Sequence, residues 1–98
     1  MTFNERLEAR CRAVGSLLCV GLDPHPADLP EPTAEAARAF CLGLIEATLP
    51  YAAAFKPNAA FFEALGTEGF AELREVIAAV PEDVIVIFEA KRGVITSK

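Results

Sequence analysis

One histidine and three cysteines are all that this chain offers as soft metal ligands. Cys11, Cys19 and Cys41 contain no CxxC pair and leave one thiol over, so neither a zinc centre nor a disulfide framework can be assembled from them. The pattern fits reduced, buried thiols in a cytoplasmic protein, with Cys19 serving as a small hydrophobe inside a strand. His25 lies between two prolines and reads as a solvated loop residue. No nucleophile accompanies it, which excludes a Ser/His/Asp or Cys/His set. No apolar run reaches the roughly 20 residues of a spanning helix, and Met1 to Arg6 lack the basic and apolar regions of a signal peptide. The nine basic residues are scattered and the net charge is -5. A basic stripe that would neutralise phosphates is therefore missing, and neither nucleic acid nor membrane is an expected partner.

What is present is an alternation. The 98 residues, 53% of them apolar, suit a single domain over 1–98 with its own core. Thr2-x-x-Glu5 has the form of a capping box, and Phe3, Leu7, Arg10/Cys11 and Val14 follow at helical spacing, so a short amphipathic helix is expected over 3–13. Leu17 to Leu22 reads as a first strand, followed by a loop with four prolines. Thr33 caps a helix to about Thr48, with Ala37, Phe40/Cys41, Leu44 and Thr48 on its inner stripe. Tyr51 to Phe55 reads as a second strand. Helical segments follow from Ala59 to Leu65 and from Thr67 to Ala79, the latter presenting Phe70, Leu73, Ile77 and Val80. Phe61 and Phe62 are expected in the core. Val84 to Phe88 forms a third strand of the unbroken apolar type found in parallel sheets.

The order α-β-α-β-α-β with long crossovers makes parallel pairs. It fits either a doubly wound sheet or a slice of a (β/α) barrel. The turn after the first strand is rich in proline and holds no GxGxxG, which disfavours a dinucleotide fold. Three parallel strands alone would leave two exposed edges.

Each strand delivers charge at its C-terminal exit, the edge of an α/β sheet where chemistry is placed. Asp23 precedes Pro24, and either starts a turn or serves a site. Lys56 precedes Pro57, and is either a solvated strand-end lysine or a site residue. Glu89 and Lys91 are two apart, so along an extended chain they point the same way. They form either a surface ion pair or a functional pair, and the apolar strand before them favours function.

These same residues carry a family resemblance. Leu18-Cys19-Val20-Gly21-Leu22-Asp23-Pro24, Phe55-Lys56-Pro57-Asn58-Ala59-Ala60-Phe61-Phe62-Glu63 and Glu89-Ala90-Lys91-Arg92-Gly93 resemble orotidine 5'-phosphate decarboxylase of the longer-chain bacterial branch, in order and over nearly the whole chain. The resemblance implies the N-terminal three strand–helix units of a TIM (β/α)8 barrel, an incomplete barrel with parallel strands. It also implies cofactor-free and metal-free conversion of orotidine monophosphate to uridine monophosphate in pyrimidine biosynthesis, by a homodimer in the full-length family. By the same resemblance, Asp23 is the ribose-binding residue, Lys56 joins a charged network beside it, and Glu89 stands near the substrate carboxylate. Lys91 stabilises and protonates the carbanion.

Two positions depart from the family's Asp-x-Lys-x-x-Asp-Ile motif. Glu89 replaces its first aspartate, keeping the charge but shifting it by about an ångström in a site type that tolerates little displacement. Val94 replaces the second, which the family donates to the partner subunit's site. Five strands and the phosphate-gripping loops of a whole barrel lie outside the chain, so the expectation is a fragment inactive by itself. The alternative is a non-catalytic, degenerate barrel module that associates with another subunit or fragment. A related sugar-phosphate aldolase or decarboxylase would share the strand-three motif and usually employ magnesium, but the Phe55 to Glu63 segment argues against it.

Overall fold

The structure, a computed structural model, describes residues 2–90 and 93–97, and the side-chain surroundings of residues 2–87. In chain order the elements are α1 (Phe3–Val14), β1 (Leu18–Leu22), a single 3-10 turn (Pro26–Asp28), α2 (Ala34–Thr48), β2 (Ala52–Pro57), α3 (Ala59–Glu63), α4 (Gly66–Ala79), β3 (Ile85–Ala90) and β4 (Gly93–Ser97). The strands form one sheet in the order β1-β2-β3-β4. β1, β2 and β3 are mutually parallel, and helical crossovers connect them. This is the expected portion of a (β/α)8 barrel, with its sheet left open. β4 was not foreseen: it returns antiparallel on β3, so the edge of β3 that the sequence left bare is occupied.

Local chemistry accounts for the helix ends. The capping box forms, with the Glu5 amide donating to Thr2 Oγ1 at 3.1 Å and the Thr2 amide to Glu5 Oε1 at 3.2 Å. Gly15 ends α1 at φ 64°, a left-handed conformation that costs glycine little. Thr33 Oγ1 accepts from the Ala36 amide and starts α2. No residue of α1 is fully buried, so it is held at the N-terminal edge of the sheet largely by arginine. Arg10 Nε donates to the Ala52 carbonyl at 3.1 Å and its Nη2 to the Leu49 carbonyl at 2.8 Å. Its Nη1 lies 3.7 Å from Asp83.

The core lies between the sheet and its helices. Val20, Leu22, Phe55, Val84 and Val86 meet Ala37, Cys41, Ile45, Phe62, Leu73 and Val76 there. α2 buries Ala34, Ala37, Cys41 and Ile45, so the expected stripe is right in its first half and shifts to Ile45 in its second. α4 buries Gly69, Leu73 and Val76, and Ile77 and Val80 also pack in or against the core as expected, but Phe70 is 50% exposed. The cause is a close helix contact. A Cβ on Gly69 would fall 1.8 Å from the Phe62 carbonyl oxygen, so glycine lets α4 lie against the backbone of α3 and turns the neighbouring Phe70 outward. Gly69→Ala has to push the two helices apart; overpacking of this kind costs about 1–3 kcal/mol or more. Urea denaturation should show a loss in that range, and an unchanged midpoint would refute the contact.

The strand limits also shift. Tyr51 and Leu17 fall outside β2 and β1 and are 61% and 87% exposed. β2 extends through Pro57, placing Lys56 inside the strand instead of after it.

Candidate functional site at the strand exits

Parallel pairing brings the first two motifs together. Gly21 is the register partner of Lys56 and Leu22 of Pro57, and the Asn58 amide donates to the Leu22 carbonyl at 3.2 Å, continuing the ladder past both strands. Val20 and Phe55 are paired and belong to the helix-side core. Alternation therefore puts Gly21 and Lys56 on the opposite face, the one a barrel turns inward. Asp23 leaves β1 and folds back over that face: a Cβ on Gly21 would stand 2.8 Å from Asp23 Oδ2. Gly21 thus leaves room for the carboxylate at the level of Lys56. Asp23 and Lys56 are both half-buried, so each keeps a solvent-facing side.

Two thiols sense these charges. Cys41, buried on α2, is pushed up to about 12, chiefly by burial and then by the Asp23 carboxylate. Cys19 is exposed, which corrects its expected burial: its side of β1 carries no helix layer. Partial desolvation still pushes its thiol up, and the Lys56 ammonium acts in the opposite direction. A thiol whose folded pKa is raised above its ordinary value of 9.0 contributes stability that is complete below that value. The contribution is lost as pH climbs towards 12, because the unfolded chain ionises first. Thermal melts at pH 8 and pH 10.5 should therefore show a smaller alkaline loss of Tm for Cys41→Ala than for the parent chain. Equal losses would contradict the assignment.

The exits are buttressed from α3. Asn58 Oδ1 accepts from the Ala60 amide at 3.1 Å and caps that helix. The His25 and Phe61 rings meet edge-on, 4.5 Å apart at 79°. His25 is exposed, as expected of that loop, with one edge against Phe61, which is half-buried; of the Phe61–Phe62 pair only Phe62 is fully in the core. This contact ties the loop after β1 to the exit of β2.

Glu89 lies in β3, with Val94 of β4 as its register partner. Lys91 lies outside the described residues. The register Ala54 with Ile85 and Phe55 with Val86 makes the exit of β3 adjacent to that of β2, on the same edge of the sheet. Among the described residues, no group of three His, Cys, Asp or Glu side chains could hold a metal ion, and no helix is long and apolar enough to cross a membrane. A hollow lined by Arg6, Ala9, Arg10, Ala13 and Asp83 lies at the opposite, N-terminal edge. Its arginines are already engaged with Glu82, Leu49, Ala52 and Asp83.

Parallel strands, helical crossovers and charge at the C-terminal exits define part of a (β/α)8 barrel. The particular barrel follows from comparison. No family model matches the chain, but curated proteins do. The chain is 44% identical over 100 residues to the orotidine 5'-phosphate decarboxylase of Roseiflexus sp. strain RS-1, covering 99% of this chain and 36% of that protein. It is 46% identical over 101 residues to that of Methylibium petroleiphilum, with the same coverages. Among solved structures, the Leishmania donovani OMP decarboxylase superposes with a TM-score of 0.81 at 53% identity, covering 94% of this chain and 34% of that one. The resemblance read from the sequence is borne out along nearly its whole length. The chain spans about a third of the length of the curated relatives it matches.

Proposed function

We propose that this chain supplies the first strand exits of a cofactor-free orotidine 5'-phosphate decarboxylase, with Asp23 on the ribose, Lys56 beside it, and Glu89 and Lys91 at the reacting carboxylate. The observation that carries the reading is the placement of Lys56 opposite Gly21 in the β1–β2 register, with the Asp23 carboxylate lying over Gly21. In the reaction, the bond from the pyrimidine ring to the substrate carboxylate breaks, carbon dioxide leaves, and the electron pair stays on the ring carbon. The Lys91 ammonium stabilises that carbanion and then protonates it. A fixed cation aimed at developing negative charge is most effective where water is excluded, and a neighbouring carboxylate keeps the lysine charged.

A third of a barrel leaves such a site open to solvent. The purified 98-residue chain should therefore show no turnover of orotidine monophosphate. Activity is expected when residues 1–98 replace the matched segment of the Roseiflexus relative and carry Glu89→Asp and Val94→Asp. In that protein, Lys56→Ala should lower kcat/KM by about 10²-fold or more. A folded protein indifferent to Lys56→Ala, or turnover by the isolated chain, would refute the reading.

A further inference from the structure

Asp23 carries its carboxylate on a short span of chain that is fastened at both ends. Before it, the Leu22 carbonyl accepts from the Asn58 amide at 3.2 Å. After it, the His25 ring stands edge-on against Phe61 of α3, with centroids 4.5 Å apart. Only Asp23 and Pro24 lie between. The His25 amide donates to the Asp23 carbonyl at 2.8 Å, closing a three-residue turn about Pro24, whose own ring fixes its φ. Pro24 is buried and seats this turn. A second point of support keeps it from rocking. The circuit closes through α3, where Asn58 Oδ1 accepts from the Ala60 amide and the Asn58 carbonyl from the Phe61 amide. Phe61 is thereby held to the same short segment that follows Lys56.

We propose that His25 and Phe61 are positioning residues: their ring contact steadies the Asp23–Pro24 turn and holds the Asp23 carboxylate over Gly21, opposite Lys56 in the register. Both act through Asp23. Their part in turnover rests on the reading above, in which Asp23 binds the ribose; their part in the geometry does not. The sequence around His25 suits the task. A residue that precedes a proline is pressed into extended backbone, and His25, between Pro24 and Pro26, adopts φ -63° and ψ 132°. Two prolines narrow the directions the imidazole can take, so little entropy is lost when it docks. His25 is exposed and Phe61 half-buried, so the pair covers little apolar surface. Its contribution is to orientation and not to the core. Without the contact, the carboxylate lies over Gly21 for a smaller fraction of the time. A ligand that needs it there binds more weakly in proportion, and an edge-on aromatic pair shifts such an equilibrium by about two- to tenfold.

The test has a geometric arm and a kinetic arm. In the 98-residue chain, the NOE from Gly21 Hα to Asp23 Hβ reads the position of the carboxylate. It should weaken at least about twofold in His25→Ala and in Phe61→Ala, and recover in His25→Phe, which keeps an aromatic ring. NOEs between Val20 and Phe55 should persist in His25→Ala and certify the fold. If Phe61→Ala unfolds, His25→Ala decides. An unchanged Gly21–Asp23 NOE in His25→Ala overturns the proposal, as does loss of the Val20–Phe55 NOEs, which would make the ring pair a determinant of the fold. In the joined protein carrying Glu89→Asp and Val94→Asp, His25→Ala should raise the KM for orotidine monophosphate about two- to tenfold with little change in kcat. His25→Phe should restore it. An unchanged KM, or a loss that His25→Phe does not rescue, overturns the positioning role. A joined protein that is inactive with His25 intact removes the decarboxylase reading instead, and the NOE arm then decides the ring contact by itself.

Discussion

Phe55→Ala should lower the stability of the chain by about 3–5 kcal/mol, the cost of emptying a fully enclosed aromatic site. Phe55 is fully buried and sits on the helix side of β2, paired with Val20 and Val86 on the neighbouring strands. Its ring joins the three parallel strands to the helix layer. Domains of this size hold about 5–15 kcal/mol in total, so the variant should lose most of its cooperative urea transition. Tm should fall by about 4–8 °C for each kcal/mol lost. A loss below 1 kcal/mol would mean that the strands do not share the core described.

The second large effect falls on Lys91. In the joined protein carrying Glu89→Asp and Val94→Asp, Lys91→Ala removes, on the proposed reading, both the cation that stabilises the carbanion and the proton that quenches it. Preorganised electrostatic stabilisation and proton transfer are each worth about 10²-fold or more. The expected fall in kcat/KM is therefore about 10³-fold or greater, close to 4 kcal/mol of barrier. The KM for orotidine monophosphate should change far less, because the lysine acts mainly on the transition state. A variant with near-parental kcat and a raised KM would place Lys91 in substrate binding instead.

The parts that sequence made legible were those governed by local rules. Thr2-x-x-Glu5 specified a cap that forms, and the apolar runs at Val20–Leu22 and around Phe55 specified buried parallel strands. Ala37 and Cys41 sat where helical periodicity placed them. What was missed depends on contacts between distant segments. Gly69 looked like an ordinary helix residue, yet the approach of the Phe62 carbonyl determines which face of α4 is buried. The glycine inside an otherwise good helix was the available signal, since glycine costs about 1 kcal/mol there without a packing reason. Likewise, Gly21 before Asp23 signalled a close approach that only the folded carboxylate explains. β4 escaped because Gly93 and Val94 were read only as positions of a motif following the third strand. Val94, Ile95 and Thr96 are all β-branched and favour pairing when a neighbouring edge is bare. Lys56 and Asp23 were legible as charged exits, but their proximity follows from the register, which composition cannot supply.

The account depends most directly on Gly21 lying opposite Lys56 in a parallel β1–β2 pair. Backbone NOE measurements on the isotopically labelled 98-residue chain read that register. Parallel-type contacts that place Gly21 beside Lys56 and Val20 beside Phe55 are predicted. Antiparallel contacts between the two strands, or a one-residue slip that turns Lys56 into the helix-side core, would separate Asp23 from Lys56 and contradict the site.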